Sequence, residues 1–232
     1  MPRQPRYFLP GIPQHVIQRG VDRQAVFFCH EDYQQYREVL LESALRYNCD
    51  IHAYVLMTNH VHLLITPRSN RSLPLLMQAM GRGYVQKLNR RYGRTGTLWE
   101  GRYKASLVQT SLYALACYRY IELNPVRAGM VESPAEYAHS SYRCNALGEL
   151  DTLVTAHKIY LSLGKDASDR QFHYRELFGD ELDMQLLTSI RNTTNACRVL
   201  GNERFKDQIE AMLGRAVRPG KVGRPRKVRR PG

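Results

Sequence analysis

Asn59-His60-Val61-His62-Leu63-Leu64-Ile65 opens with alternating polar and apolar residues. A β-strand sends successive side chains to opposite faces, so His60 and His62 share one face and Val61 and Leu63 the other. Ile51 to Met57 reads as a preceding strand, Thr58-Asn59 as a tight hairpin connection, and Pro67 as the stop. A two-residue turn predicts His52 on the face opposite His60 and His62, as a packing residue. Two neighbouring imidazoles on a rigid strand can hold a metal ion.

The flanking sequence supplies the rest of a sheet. His15-Val16-Ile17-Gln18 reads as a first strand ending at Arg19-Gly20, followed by Tyr33, Tyr36, Leu40, Ala44 and Tyr47 at helical spacing. After the hairpin, Ser72 and Pro74 mark a helix start, and Leu73, Leu76, Met77, Met80, Tyr84 and Leu88 form its apolar stripe. Trp99 to Val108 has strand character, and Thr110-Ser111 can cap a helix running to about Asn124, before Pro125. The order strand, helix, strand, strand, helix, strand, helix predicts a ferredoxin-like or RRM-like α+β fold. Its antiparallel sheet is backed by helices on one face, and the two histidines are expected on the other, free face.

Residues 1–147 are expected to form this unit. Leu153 to Leu163, Leu182 to Leu187 and Phe205 to Leu213 predict a helical accessory domain over 148–214. From Arg215 to Gly232 the chain has no acid and no apolar periodicity, which predicts a disordered basic tail.

Composition narrows the function classes. The chain has 232 residues, 43% of them hydrophobic, enough for one good core. Its 34 Lys and Arg against 21 Asp and Glu give a net charge of +13, which favours a polyanionic partner. No apolar run approaches the roughly 20 residues that span a bilayer, and Met1 to Arg6 leads into no signal-peptide core. A cytoplasmic protein without a membrane partner is expected. The five cysteines form no Cys-x-x-Cys pair, and neither a Walker loop nor a complete dinucleotide fingerprint occurs, so no nucleotide cofactor is expected.

The chemistry is carried by Tyr118-Arg119-Tyr120-Ile121-Glu122-Leu123-Asn124-Pro125. Tyr120 and Asn124 stand four residues apart, hence on one helix face. A phosphodiester repels nucleophiles, and a divalent ion on its nonbridging oxygens reduces that charge. Two imidazoles and the Asn124 amide oxygen would suit Mg²⁺ or Mn²⁺, although imidazole also accepts zinc. Glu122 competes as a ligand but lies about 200° around the helix from Tyr120. Each part has an ordinary reading too: a His-x-His on a strand surface, tyrosines that only pack, an asparagine that only ends a helix.

In this order the motifs resemble the single-tyrosine transposases of the HUH type, in particular the REP-associated tyrosine transposases. The matching segments are Asn59 to Leu64, Tyr120 to Gly129 and Ser140-Ser141-Tyr142-Arg143, within about residues 5–147. Thr58 and His139 depart from the family pattern, where proline and tryptophan are common. The resemblance implies that His60, His62 and Asn124 hold the metal and that Tyr120 links covalently to a 5′ phosphate, with Tyr118 as the tyrosine to exclude. It further implies single-stranded hairpin DNA as substrate. Arg19, Arg102 and Lys104 are then candidates for backbone contact and Tyr103 for base stacking. Gly223-Arg224-Pro225-Arg226 resembles an AT-hook core, with Arg224 and Arg226 entering a minor groove. Rival readings are a non-catalytic single-strand-binding module and a nuclease that uses water. Monomer and homodimer stay open.

Overall fold

Pairing of β1 (Gln14–Arg19) with two later strands sets the frame of the molecule, whose computed structural model describes residues 6–180 and 182–218. After β1 come α1 (His30–Arg46), β2 (Cys49–Met57), β3 (His60–Pro67), α2 (Ser72–Arg91) and β4 (Lys104–Val108). Next are α3 (Thr110–Glu122), the short α4 (Asn124–Arg127), α5 (Tyr142–Leu147), α6 (Lys158–Leu161) and α7 (Ala167–Glu176). The chain continues through α8 (Met184–Asn195), β5 (Val199–Leu200) and α9 (Glu203–Leu213). The sheet order is β2-β3-β1-β4-β5. Its first four strands are antiparallel and follow the expected ferredoxin-like order, and β5 joins β4 in parallel.

One face of the sheet carries the main core. Tyr36 and Leu40 of α1 and Leu76, Met80 and Tyr84 of α2 are buried against Val16, Tyr54, Leu63 and Ile65. Burying a side chain of this size stabilises by about 1.5–3 kcal/mol, against about 1 kcal/mol for a helix-interior glycine, so packing outweighs propensity here. Gly83 sits inside α2 because a Cβ there would meet Val39 Cγ1 of α1 at 3.0 Å.

Register puts the functional residues on the second face. β1 opposes β3 with Ile17 across from His62 and Arg19 across from His60, and β4 with His15 across from Ser106 and Ile17 across from Lys104. Directly opposed residues share a face, so all of these side chains emerge together.

Four expectations change. The second face is not free: Ala114, Cys117, Tyr118 and Ile121 of α3 and Ile190 of α8 cover it, packing with Ala53, Val55, Leu64 and Val108. His52 is not on the opposite face, because a bulge pairs Ile51 with Ile65 and Ala53 with Leu64, leaving His52 as the extra residue. It turns towards Thr66, which alternates with His60 and His62, and its ring nitrogens meet Thr66 Oγ1 at 2.8 Å and the Thr155 carbonyl at 2.7 Å. His52 is therefore a satisfied packing residue. Trp99 makes only a single bridge to Gly20, and the strand begins at Lys104. Finally, 215–218 is packed rather than free: Val217 is buried, and Arg218 pairs with Glu203, Asp207 and Glu210.

Residues 148–214, expected as a helical accessory unit, contribute β5 to the sheet and α8 to the covered face. Later segments thus flank the four antiparallel strands on both sides, β5 beside β4 and single bridges from Ser140 and Val154 beside β2. No helix among the described residues is long and apolar enough to cross a membrane.

Candidate active site

A cleft of about 450 Å³ opens where β1 and β3 pass under the end of α3, and His60, His62, Tyr120, Asn124, Arg19 and Arg191 line it. One chain thus brings together the strand-borne histidines and the helix-borne tyrosine and amide. Tyr120 lies edge-on to His62, with ring centroids 5.8 Å apart, and the two histidine rings are 5.1 Å apart.

The ring nitrogens are sorted by their neighbours. Asn59 Nδ2 donates to the Arg23 carbonyl at 2.9 Å, which turns Asn59 Oδ1 to His60 Nδ1, 2.6 Å away. An amide oxygen only accepts, so His60 carries its proton on Nδ1 and keeps the Nε2 lone pair. His62 Nδ1 likewise faces a partner, His15 Nε2 at 2.8 Å. Asn124 Nδ2 donates to the carbonyls of Tyr120 at 2.9 Å and Ile121 at 3.1 Å, leaving Oδ1 as its uncommitted atom.

Electrostatics keep these imidazoles neutral. Burial pushes His60 down to about 4, with Arg19 adding to the effect, and pushes His15 down to about 3, with Arg127 adding. His62 falls well below the ordinary value, through burial first and then its neighbours His15 and His60. Metal ligation needs neutral imidazole. The Nε2 lone pair of His60, the neutral His62 ring and the Asn124 amide oxygen form a mixed nitrogen and oxygen donor set, which fits a divalent ion.

The rival residues point elsewhere. Tyr118 is fully buried against Tyr160 and Tyr174 and does not line the cleft. Glu122 is also fully buried, and its carboxyl accepts hydrogen bonds from Ser141 at 2.5 Å, Tyr174 at 2.6 Å and Asn145 at 2.9 Å. This explains the Ser140-Ser141-Tyr142-Arg143 segment, whose Ser141 anchors the back of α3. The departures at Thr58 and His139 fall on packing: the Thr58 carbonyl accepts from Val26, and His139 stacks on Tyr33 with centroids 3.7 Å apart.

Of the expected DNA contacts, Arg19 lines the cleft, while Arg102 and Lys104 are exposed beside it. Tyr103 needs correction. It alternates to the other face, is 7% exposed, and Arg6 covers its ring at 3.7 Å, so no ring face is open to a base. Arg224 and Arg226 lie outside the described residues. Sequence reasoning missed His15, Arg127, Arg191 and Asn195. Arg127 places its guanidinium 4.6 Å from the Tyr120 ring centroid and donates to the Tyr120 carbonyl. Its signal was its place in the matching segment Tyr120 to Gly129, three residues after Asn124, where it reads equally well as an ordinary surface cation.

Comparison with known proteins gives this cleft its class. The family model described as Transposase IS200 like matches residues 10–124, a span that takes in both histidines, the tyrosine and the amide. The protein is a DNA-cleaving transposase. Over residues 10–124 it belongs to the IS200-like transposase family. Among solved structures, the REP-associated tyrosine transposase bound to a REP hairpin shares the fold, with a TM-score of 0.52 and 16% identity over 68% of this chain and 93% of that one. A Deinococcus radiodurans chain provisionally described as a transposase matches 55% of this chain and 97% of its own, at 19% identity and a TM-score of 0.37, too low to bear on the fold. No curated protein matches the sequence.

Proposed function

We propose that this transposase cleaves and rejoins single-stranded DNA at hairpin sites through a covalent 5′-phosphotyrosine on Tyr120. His60, His62 and Asn124 hold Mg²⁺ or Mn²⁺ in this reading. The observation that carries it is the convergence of Tyr120 with two neutral imidazoles and the Asn124 amide in one cleft of one chain. Such an ion would lower the charge on the nonbridging oxygens of the scissile phosphate and fix its orientation.

The chain's own residues do the rest. Tyr120 Oη attacks phosphorus, a new P–O bond forms as the P–O3′ bond breaks, and the phenolic proton ends on the released 3′ oxygen. One phosphodiester replaces another, so a 3′ hydroxyl can reverse the step without ATP. Arg127 holds the Tyr120 ring from one side, and Arg19 and Arg191 supply positive charge for the strand's phosphates. The hairpin is supported by the motif resemblance and by the REP hairpin bound to the structure of similar fold. A reaction on DNA fits the expected cytoplasmic location.

The test mixes the full chain, Mn²⁺ or Mg²⁺ and labelled hairpin DNA, and resolves the products on a denaturing gel beside Tyr120→Phe. A covalent band lost in the variant is the expected result. Cleavage that survives in Tyr120→Phe, releasing free 5′ phosphate, would replace the tyrosine with water as nucleophile.

A further inference from the structure

His62 presents one nitrogen to the cleft, and its other nitrogen begins a buried chain that ends in α8. His62 Nδ1 is 2.8 Å from His15 Nε2, and His15 Nδ1 is 3.0 Å from Thr194 Oγ1. Thr194 Oγ1 lies 2.9 Å from the Ile190 carbonyl and 3.0 Å from Ser106 Oγ. His15, Ser106 and Thr194 are fully buried, so these contacts exclude water.

The protons can be placed by counting donors. The Ile190 carbonyl only accepts, so the single Thr194 hydroxyl proton is directed to it. Thr194 Oγ1 then has two lone pairs left, one for Ser106 O–H and one for His15 N–H. His15 is thereby protonated on Nδ1 and has a lone pair on Nε2, which must receive the Nδ1 proton of His62. The direction of every bond follows from one backbone carbonyl. In free histidine the proton prefers Nε2, so the protein imposes the less favoured form.

We propose that Thr194 and His15 are positioning residues that fix His62 as its Nδ1–H tautomer and so hold the Nε2 lone pair towards the cleft. The proposal rests on the reading of His62 as a metal ligand. It assigns α8 a part in a site whose family match ends at Asn124. Outer partners of ligating histidines typically change metal affinity by about 10–100-fold. Thr194 acts through His15, so the low end, about tenfold, is expected.

The experiment uses the full chain labelled with ¹⁵N-histidine. Long-range proton–nitrogen correlation of the metal-free protein reads the His62 tautomer, and Mn²⁺ titration followed by electron paramagnetic resonance reads affinity. Wild type should show His62 protonated on Nδ1. Thr194→Val, nearly the same shape without the hydroxyl, should show mixed tautomers and roughly tenfold weaker Mn²⁺ binding. Thr194→Ser should restore both readouts. Protonation of wild-type His62 on Nε2 would overturn the proposal, as would an unchanged tautomer and affinity in Thr194→Val while His62→Ala abolishes binding. Wild type that binds no Mn²⁺ would instead bring down the ligand reading itself, and the proposal with it.

Discussion

Asn124 Nδ2 donates to the carbonyl of Tyr120 at 2.9 Å, so the candidate ligand and the candidate nucleophile are fastened to each other across the last turn of α3. An amide suits this position because its nitrogen can cap the helix while its oxygen faces outward. Asn124→Ala removes both functions. It should lower stability by about 1–3 kcal/mol for two lost hydrogen bonds and weaken Mn²⁺ binding, as read by chemical denaturation and titration. Asn124→Asp separates the functions, because a carboxylate remains a good donor to Mn²⁺ but cannot donate to the Tyr120 carbonyl. We expect retained Mn²⁺ binding with diminished covalent adduct; an adduct yield equal to wild type would show that the tether is dispensable.

Arg127 stacks on the Tyr120 ring and binds its carbonyl. Arg127→Met keeps the aliphatic stem and removes the charge. The single-turnover rate of adduct formation should fall by about tenfold or more, corresponding to about 1.4 kcal/mol, within the range of a partly desolvated cation–π contact. An unaltered rate would reduce Arg127 to a helix-end contact.

Glu122 makes stability depend on pH. Its carboxyl titrates at 4.5 ordinarily, and burial raises it to about 7 in the folded chain. Below 4.5 both states are protonated and the group is neutral to the balance. As pH rises towards 7 only the unfolded state ionises, so stability falls, by about 3 kcal/mol in all, and levels off above the folded value. Glu122→Gln should lose that component of the slope between pH 5 and 8 in thermal unfolding. Parallel profiles for the two proteins would contradict it.

Truncation should give different results on either side of Arg218. Removing residues 219–232 deletes six Lys and Arg residues and should weaken DNA binding and flatten its salt dependence without changing the unfolding temperature. Removing 215–232 also deletes buried Val217, and should cost about 1.5–3 kcal/mol in addition. Equal DNA affinity at several salt concentrations for full-length and shortened chains would remove the tail from the binding surface.

The hairpin, the two core helices and the ferredoxin-like order were legible because each rests on local periodicity: His60 and His62 alternate, and Leu73 to Leu88 recur every three or four residues. Tyr120 and Asn124 were legible as a pair for the same reason. The bulge at His52 was not, since it depends on a register set by the whole sheet. Tyr103 was misplaced because its strand starts five residues later than Trp99, at Lys104, and Arg6 comes from a distant segment. α7 has a single buried residue, Tyr174, and so carries no stripe to read. His15 and Thr194 look like unremarkable strand and helix residues until folding sets them 3.0 Å apart.

The two ends of the sheet have a bearing on how copies of this protein can meet. An exposed outer strand is a template for pairing with another chain, yet one end of the sheet is the two-residue β5, laid on Leu107 and Val108 of β4, and at the other end β2 is bridged by Ser140 and Val154. Among the described residues, neither border therefore offers a long run of unpaired backbone for recruiting a strand from a neighbour. The late segments that complete the fold thus also shield its sheet, among the described residues, from edge-to-edge pairing with a second copy, the usual route to fibrous growth.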